Sequence, residues 1–422
     1  MSGFARITHM HVLMFSWEYP PHLMGGLGTH VADLLPALSQ RQCAVTLLTP
    51  HLRGGAAAEW LPDHADHVQV VRVSTAHPNV GDFPTYVEHV NHDLRDAALS
   101  LAATTRFDAI HAHDWMVAPA ALELHRSTHL PLVATVHATE RGRGRGSLPT
   151  GAAHRIDWWE RELVAQAQRI IVCSHAMLAE VVESLQAVPE RIEVIPNAVY
   201  IRPDPFPSPV ERLVFRRHYA LDHEPLVFNI GRVVEEKGVH VLIDAWAQVC
   251  RELRAKLVMA GSGPSLDNCR AHAAHLGLDQ QIILPGRISD DERDRLYRVA
   301  QAAVFPSLYE PFGIVALEAQ AAHCPVIVTA TGGLFETVRP HETGIVVQPN
   351  NAASLAWGLL HTLHHPDWAQ QRAANALHDL HRIYNWERAA QMTAEVYQQA
   401  IAHPLPTGHS EAPHTALFSS AA

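Results

Sequence analysis

The feature that most constrains this chain is a unit repeated along it. A short apolar run without alternation is followed by a glycine- or proline-bearing turn and then by a stretch with helical periodicity. In the first half the runs are His11–Ser16, Ala44–Thr49, Asp108–Ala112, Leu132–Val136, Arg169–Cys173 and Ile192–Ile195. Leu226–Ile230, Lys256–Ala260, Ile282–Leu284, Ala303–Phe305, Val326–Thr329 and Ile345–Val347 repeat the pattern in the second. A strand that is apolar on both sides must be covered on both sides, so runs of this kind between helices predict parallel sheets. The helices carry matching stripes. Leu27, Val31, Leu34, Leu35 and Leu38 share one helical face, with Pro36 predicting a kink or shift at its far end. Val241, Leu242, Ala245, Trp246, Val249 and Leu253 share another.

The alternation breaks once. Residues 202–209, RPDPFPSP, hold four prolines in eight positions and cannot continue a helix or a central strand. The prediction is therefore an α/β chain of two doubly wound, Rossmann-like domains: 1–202, a proline-rich linker at 203–209, and 210–402 with helical residues from about Ser354 to Ala402 at its end. Residues 403–422, of low hydrophobicity with three prolines, are predicted to be a disordered tail. Open parallel sheets take their ligands beyond the carboxyl ends of the strands, which predicts a site in the cleft between the two domains.

Composition narrows what that site can serve. With 32 basic and 43 acidic residues the net charge is −11, which argues against general nucleic-acid binding and against a basic membrane surface. Five dispersed cysteines without a CxxC indicate neither a disulfide framework nor a zinc ribbon. No run approaches the roughly 18 apolar residues of a spanning helix, and the apolar start HVLMF is a poor signal peptide, so a cytoplasmic setting is expected. The 32 histidines include His111/His113, His89/His92 and His364/His365, but no HExxH, so no metal is expected.

Five segments carry chemistry. Gly25-Gly26-Leu27-Gly28, between a strand and a helix, suits either a tight turn or an anion at a helix start. It has neither Walker nor GxGxxG spacing, which lowers the NTPase and dehydrogenase readings. In Gly231-Arg232-Val-Val-Glu-Glu-Lys237-Gly238 two cations can converge on a phosphate, unless Glu235 and Glu236 neutralise them. In the run from Phe305 through Glu310, Gly313 and Glu318, the carboxylate of Glu318 sits on an apolar helix and needs either a ligand or an arginine partner. The amides of Gly313, Ile314 and Val315 open toward an anion. In the first half, HAHDW (111–115) and His137-Ala-Thr-Glu140-Arg141-Gly-Arg143-Gly-Arg145 place polar groups past strand ends on the same crevice. The three arginines of that loop suit an anionic acceptor or a solvated surface turn.

From His11 to about Glu395 these segments, in this order, resemble the retaining GT-B nucleotide-sugar glycosyltransferases of the family 4 type. HAHDW and HATERGR are most similar to the bacterial and archaeal glycogen-synthase-related branch. The most specific element is Glu310-x7-Glu318 within YEPFGIVALEA. The resemblance implies a C-terminal helix that returns to the N-terminal domain. It implies Arg232, Lys237, Gly26 and the helix start at Gly313 around the leaving diphosphate, and Glu318 on the ribose. It also implies Glu310 on the transferred sugar and His137 between sugar and acceptor. Arg287 and Ile288 would edge the base; Gly25, Gly263, Ile314 and Val315 would line the donor pocket. Asp114, Glu140, Arg141 and Arg143 would lie on the acceptor side. No cofactor or metal is implied beyond the nucleotide sugar, and the partners are that donor and a glucan or small sugar acceptor.

The implied activity is α-glucosyl transfer from UDP- or ADP-glucose to an α-glucan or glucosyl acceptor. Two positions depart from relatives: His22-Leu-Met-Gly25-Gly26-Leu27 replaces the KxGGL of starch-type synthases, and Ala198 and Tyr200 replace Gly and Asp. The alternatives are another nucleotide sugar such as GDP-mannose with a phosphorylated or lipid acceptor, an epimerase or phosphorylase on the same architecture, and a non-catalytic sugar- or nucleotide-binding module.

Overall fold

The computed structural model describes residues 10–403 except 65, 66, 76 and 78–80. Two sheets organise it. The first contains β1 (Met10–Ser16), β2 (Cys43–Pro50), β3 (Ala58–Trp60), β4 (Val68–Val73), β5 (Ala109–His113), β6 (Leu132–Val136), β7 (Arg169–Val172) and β8 (Ile192–Val194), in the order β3-β4-β2-β1-β5-β6-β7-β8. Every pair is parallel except the edge pair β3–β4. The second contains β9 (Leu226–Ile230), β10 (Lys256–Ala260), β11 (Ile282–Gly286), β12 (Ala302–Phe305), β13 (Val326–Thr329) and β14 (Ile345–Val347), all parallel, in the order β11-β10-β9-β12-β13-β14. These are two Rossmann-like halves, as the apolar runs predict. Strand order reverses beside β1 and beside β9, the two places where a doubly wound sheet opens a crevice.

The helical stripes are buried as predicted. Leu27, Val31, Leu34, Leu35 and Leu38 lie on the helix Gly26–Ser39 against β1 and β2. That helix runs unbroken through Pro36. The proline falls in its last turn, where only one interior hydrogen bond is forfeited. Val241 to Val249 fill the core under the second sheet from the helix Val239–Glu252; burying such side chains contributes about 1.5–3 kcal/mol for each large one.

Three differences from the sequence reading have physical reasons. β3 and β4 are absent from it because VQVVRV alternates buried with half-buried residues near a sheet edge. The proline segment ends one residue sooner: Pro209 opens the helix Pro209–Arg217, capped by Ser208. A proline is tolerated at that first position because its missing N–H would be unpaired anyway. The final helical stretch is three helices, Ala352–His364, Pro366–Arg382 and Trp386–Ala402. The last of these leaves the second half and buries Trp386, Ala390, Val396 and Tyr397 in the core of the first sheet. The expected disordered tail, apart from His403, lies outside the described residues. Among the described residues no helix is long and apolar enough to cross a membrane.

Candidate active site

The second half supplies a recess at the carboxyl ends of β9 and β12. Arg232, Lys237, Ser307, Glu310 and Val315 line it, with Asn229 and Phe305 at its base. Lys237 Nζ donates to Glu310 Oε2 at 2.6 Å, and Ser307 Oγ donates to the same oxygen at 3.1 Å. Glu310 is 8% exposed, so this is a charge held by a cation and a hydroxyl in a largely dry place. Glu236 takes Arg232 at 2.5 Å, and its carbonyl receives the amides of Leu308 and Tyr309. The two acids of the GRVVEEKG loop therefore do not neutralise both cations: Lys237 is committed to Glu310.

Gly313 has φ 95°, a backbone state that favours glycine, and a Cβ there would overlap Leu334. Its turn starts the helix Ile314–Ala321, whose first amides, including Ile314 and Val315, have no intrahelical acceptor. A Cβ on Gly26, from the first half, would stand 3.4 Å from Ile314 Cδ1, so that loop closes over the helix start. Gly25 differs from expectation. Its amide and that of Met24 donate to Glu18 Oε2 at 3.0 and 2.8 Å, so the Gly25 amide is already engaged.

The other donor-side residues are placed less directly. Glu318 lies 3.7 Å from Arg293, which is held more closely by Asp290 and Asp294. Burial raises the Glu318 carboxyl above its ordinary range, with Arg293 opposing. Gly263 packs against the Val233 carbonyl, where a Cβ would overlap it, so it shapes the loop and is not part of the recess lining. Arg287, exposed, and Ile288, half-buried, follow edge strand β11 and do not reach the recess lining either.

The first half faces this with the ends of β1, β5 and β6. The register sets Ser16 beside His113 and His113 beside Thr135. Asp114 follows with φ 62°, and its carboxylate accepts the His137 amide at 2.7 Å. Burial pushes that carboxyl up to about 6, with the His137 amide and then Arg143 opposing. His137 Nε2 and His113 Nδ1 share a hydrogen bond of 3.0 Å. His30 Nδ1 bonds Asn197 Oδ1 at 2.8 Å, and the His30 ring lies edge-on to His137. Burial lowers all of these imidazoles: His30 to about 3, His137 to about 4, His113 and neighbouring His111 well below the usual range.

Among the described residues His30, His113 and His137 are the group of three whose ligand atoms lie within 4.8 Å of one another.

The arginine loop is sorted by its partners. Arg141 is held by both oxygens of Asp157, at 2.6 and 3.1 Å, and Asp157 also takes Arg161. Arg141 is thereby committed to Asp157, which ties the loop to the helix Gly151–Gln166. Arg145 lies 3.7 Å from Glu235 across the cleft. Among the described residues Arg143 has only Glu140, at 4.0 Å, as an ion partner within reach, while Asp114, Glu160 and Glu236 also act on it. Glu160 receives the Glu140 amide, and burial holds its carboxyl well above its ordinary range.

A node that sequence reasoning missed joins the two sides. Tyr309, next to Glu310, donates to Glu180 Oε1 at 2.8 Å, and Thr139 Oγ1 donates to the same oxygen at 2.5 Å. The Thr139 amide donates to the Tyr309 hydroxyl at 3.2 Å. Gly142 lies so close that a Cβ would overlap Glu180 and Tyr309. Below it, Ser174 Oγ donates to the Pro311 carbonyl at 2.7 Å, and Glu336 accepts the amides of His175 and Ala176. Only the YEP and HATERGR contexts could have pointed to Tyr309 and Thr139, and only HAHDW to His113; nothing local marks Glu180 or His30.

Comparison with known proteins agrees with this architecture. Residues 24–202 match the model of Glycosyltransferase Family 4, and residues 212–379 that of Glycosyl transferases group 1. An uncharacterised glycosyltransferase of Methanocaldococcus jannaschii is 32% identical over 93% of this chain and 99% of its own length. A glycogen synthase of Mycobacterium tuberculosis is 34% identical over 93% and 95%. Sucrose-phosphate synthase of Thermosynechococcus elongatus superimposes with a TM-score of 0.80 at 24% identity, covering 93% of this chain and 99% of that one. The catalytic domain of starch synthase IV from Arabidopsis thaliana, bound to ADP and acarbose, gives 0.75 at 17%, covering 94% and 100%.

Proposed function

We propose, on the premise that the chain belongs to the GT-B glycosyltransferases of the group 1 and family 4 type, that it is a retaining hexosyltransferase. It moves an α-glucosyl group from UDP- or ADP-glucose onto an α-glucan or glucosyl acceptor. The observation that carries the reading is the Lys237–Glu310 pair at 2.6 Å, in a recess that Arg232 and Val315, on the helix that starts after Gly313, also line. The similarity to a glycogen synthase supports the choice of glucan, and ADP bound to a structural neighbour supports the nucleotide.

In this reading Arg232, Lys237 and the amides at Gly313–Val315 take the charge that develops on the leaving diphosphate. Those groups and the Gly26 backbone supply the cationic environment without a metal. Glu310 holds hydroxyls of the transferred sugar and stabilises its cationic transition state, a role for which a dry, ionised carboxylate is suited. Glu318 binds the ribose. The departing phosphate deprotonates the acceptor on the face it leaves, so the anomeric configuration is kept. The rate then comes from positioning and electrostatics, not from a protein nucleophile.

A second reading, a phosphorylated acceptor, is favoured by one observation. Among the described residues Arg143, two positions past the Arg141–Asp157 pair, has no carboxylate closer than 4.0 Å, which leaves it open to an anion on an acceptor. One screen tests both: UDP-glucose, ADP-glucose and GDP-mannose, metal-free, against glycogen, maltooligosaccharides and glucose 1-phosphate, with Glu310→Ala as control. Nucleotide release that depends on an acceptor and is lost in the variant supports transfer, and the productive pair names the substrates. Release that no acceptor stimulates refutes it.

A further inference from the structure

We infer that His113 is a positioning residue: it fixes which nitrogen of His137 carries the proton, so that His137 offers the bound sugar an N–H donor and not a lone pair. The kinetic part of this inference rests on the transferase reading; the proton assignment does not.

The two rings share one hydrogen bond, His113 Nδ1 to His137 Nε2, at 3.0 Å and nearly parallel, 20° apart. Burial keeps both imidazoles neutral at physiological pH, so each has one N–H and one lone pair. A single proton lies between them, and only two assignments exist. In the first, His113 donates from Nδ1; His137 Nε2 accepts, and the His137 proton sits on Nδ1. In the second, His137 donates from Nε2, and the proton of His113 is driven to its own Nε2.

The choice is decided at the far side of His113. Its ring is 0% exposed, and its Nε2 is buried without any hydrogen-bond partner among the described residues. The second assignment would strand an N–H donor there, the kind of orphan that folded proteins almost never bury; the first leaves only a lone pair. His137 does not oppose the choice. It is half-buried, its Nδ1 makes no bond to the described residues, and water or a ligand satisfies that atom in either form. Local structure holds the arrangement. His113 ends β5, its register partner Thr135 bonds His111 Nε2 at 2.7 Å, and the His137 backbone is pinned by Asp114.

The consequence is chemical. A donor at His137 Nδ1 pairs with a lone pair of a sugar oxygen. It does not act as a base toward a hydroxyl.

The test begins without activity. In protein labelled with 15N-histidine, long-range proton–nitrogen correlation at pH 7, assigned by the signal lost in His137→Gln, should show His137 with its proton on Nδ1. A proton on Nε2 overturns the inference. His113→Leu should give a mixture of the two forms and a kcat about tenfold lower, with the Kd for ADP or UDP within about twofold of wild type. His113→Asn, whose amide nitrogen overlies Nδ1, should restore both the Nδ1 proton and most of kcat. Unchanged kcat in His113→Leu, or a loss that His113→Asn does not recover, overturns the positioning role. If His113→Leu does not fold, the wild-type spectrum and His113→Asn decide. Absence of transfer by the wild-type protein would defeat the transferase reading and leave the proton assignment to the spectrum.

Discussion

Replacing His30 by asparagine gives a quantitative check on how dry the inner wall of the cleft is. His30 is 7% exposed, donates from Nδ1 to Asn197 and packs edge-on to His137 and Trp386. Burial, repulsion from His137 and the opposing Asn197 bond leave its folded pKa near 3, against 6.5 for an ordinary imidazole. As pH falls from 7 to 5 the unfolded chain takes up a proton here that the folded chain refuses. The stability contribution of a group depressed in this way is complete above about 6.5 and is lost as pH falls toward 3. Between pH 7 and pH 5 that loss is about 2 kcal/mol, near thirtyfold in the unfolding constant.

His30→Asn keeps the bond to Asn197 and cannot protonate. Its cost at pH 7, whatever packing makes it, should therefore shrink by about 2 kcal/mol at pH 5. Comparing the two pH values in each protein cancels every other titrating group. Urea unfolding followed by circular dichroism measures the difference. A cost that is the same at both pH values, within about 0.5 kcal/mol, would refute the reasoning, because it would mean that the folded protein admits the proton at its ordinary pKa.

Three further outcomes follow from the same geometry. Arg143→Ala should raise the acceptor KM about tenfold and leave nucleotide affinity alone, checked by initial rates and calorimetry; an unchanged KM would free the acceptor side of Arg143. Arg141→Ala should lower stability by about 1–2 kcal/mol in denaturant melts, because Asp157 keeps Arg161, and should leave acceptor KM unchanged. Gly142→Ala should lower kcat at least tenfold with donor affinity intact, since its Cβ pushes Glu180 and Tyr309 apart at the node beside Glu310; equal kcat in steady-state assays would contradict that coupling.

The fold was legible because a parallel strand must be apolar on both faces, and twelve of the fourteen strands announce themselves in that way. β4 did not, because its outward side chains are only half-covered. In the site, Lys237 and Glu310 could be picked out from their loops, yet their mutual bond could not be, since 73 positions separate them. The partner of Arg141 was hidden for the same reason: it is Asp157, on the helix Gly151–Gln166. His30, His113 and His137 come from three elements, and a histidine on an apolar strand carries no local mark of the partner it will meet.

The last helix has a consequence for the order in which the molecule can be completed. Tyr397 fills the first core and bonds His111 at 2.7 Å, across 286 positions of chain. A ribosome releases the first sheet long before it releases that helix, so the half made first is finished last. Until then the surface of β5, β6 and β7 that the last helix covers stays open, exposed to the wrong partners available to any unpaired apolar face. Contacts this distant in sequence also close late in refolding. Halting synthesis after Arg382 would therefore leave two sheets but only one complete core, with the unfinished one beneath His111 and its neighbours.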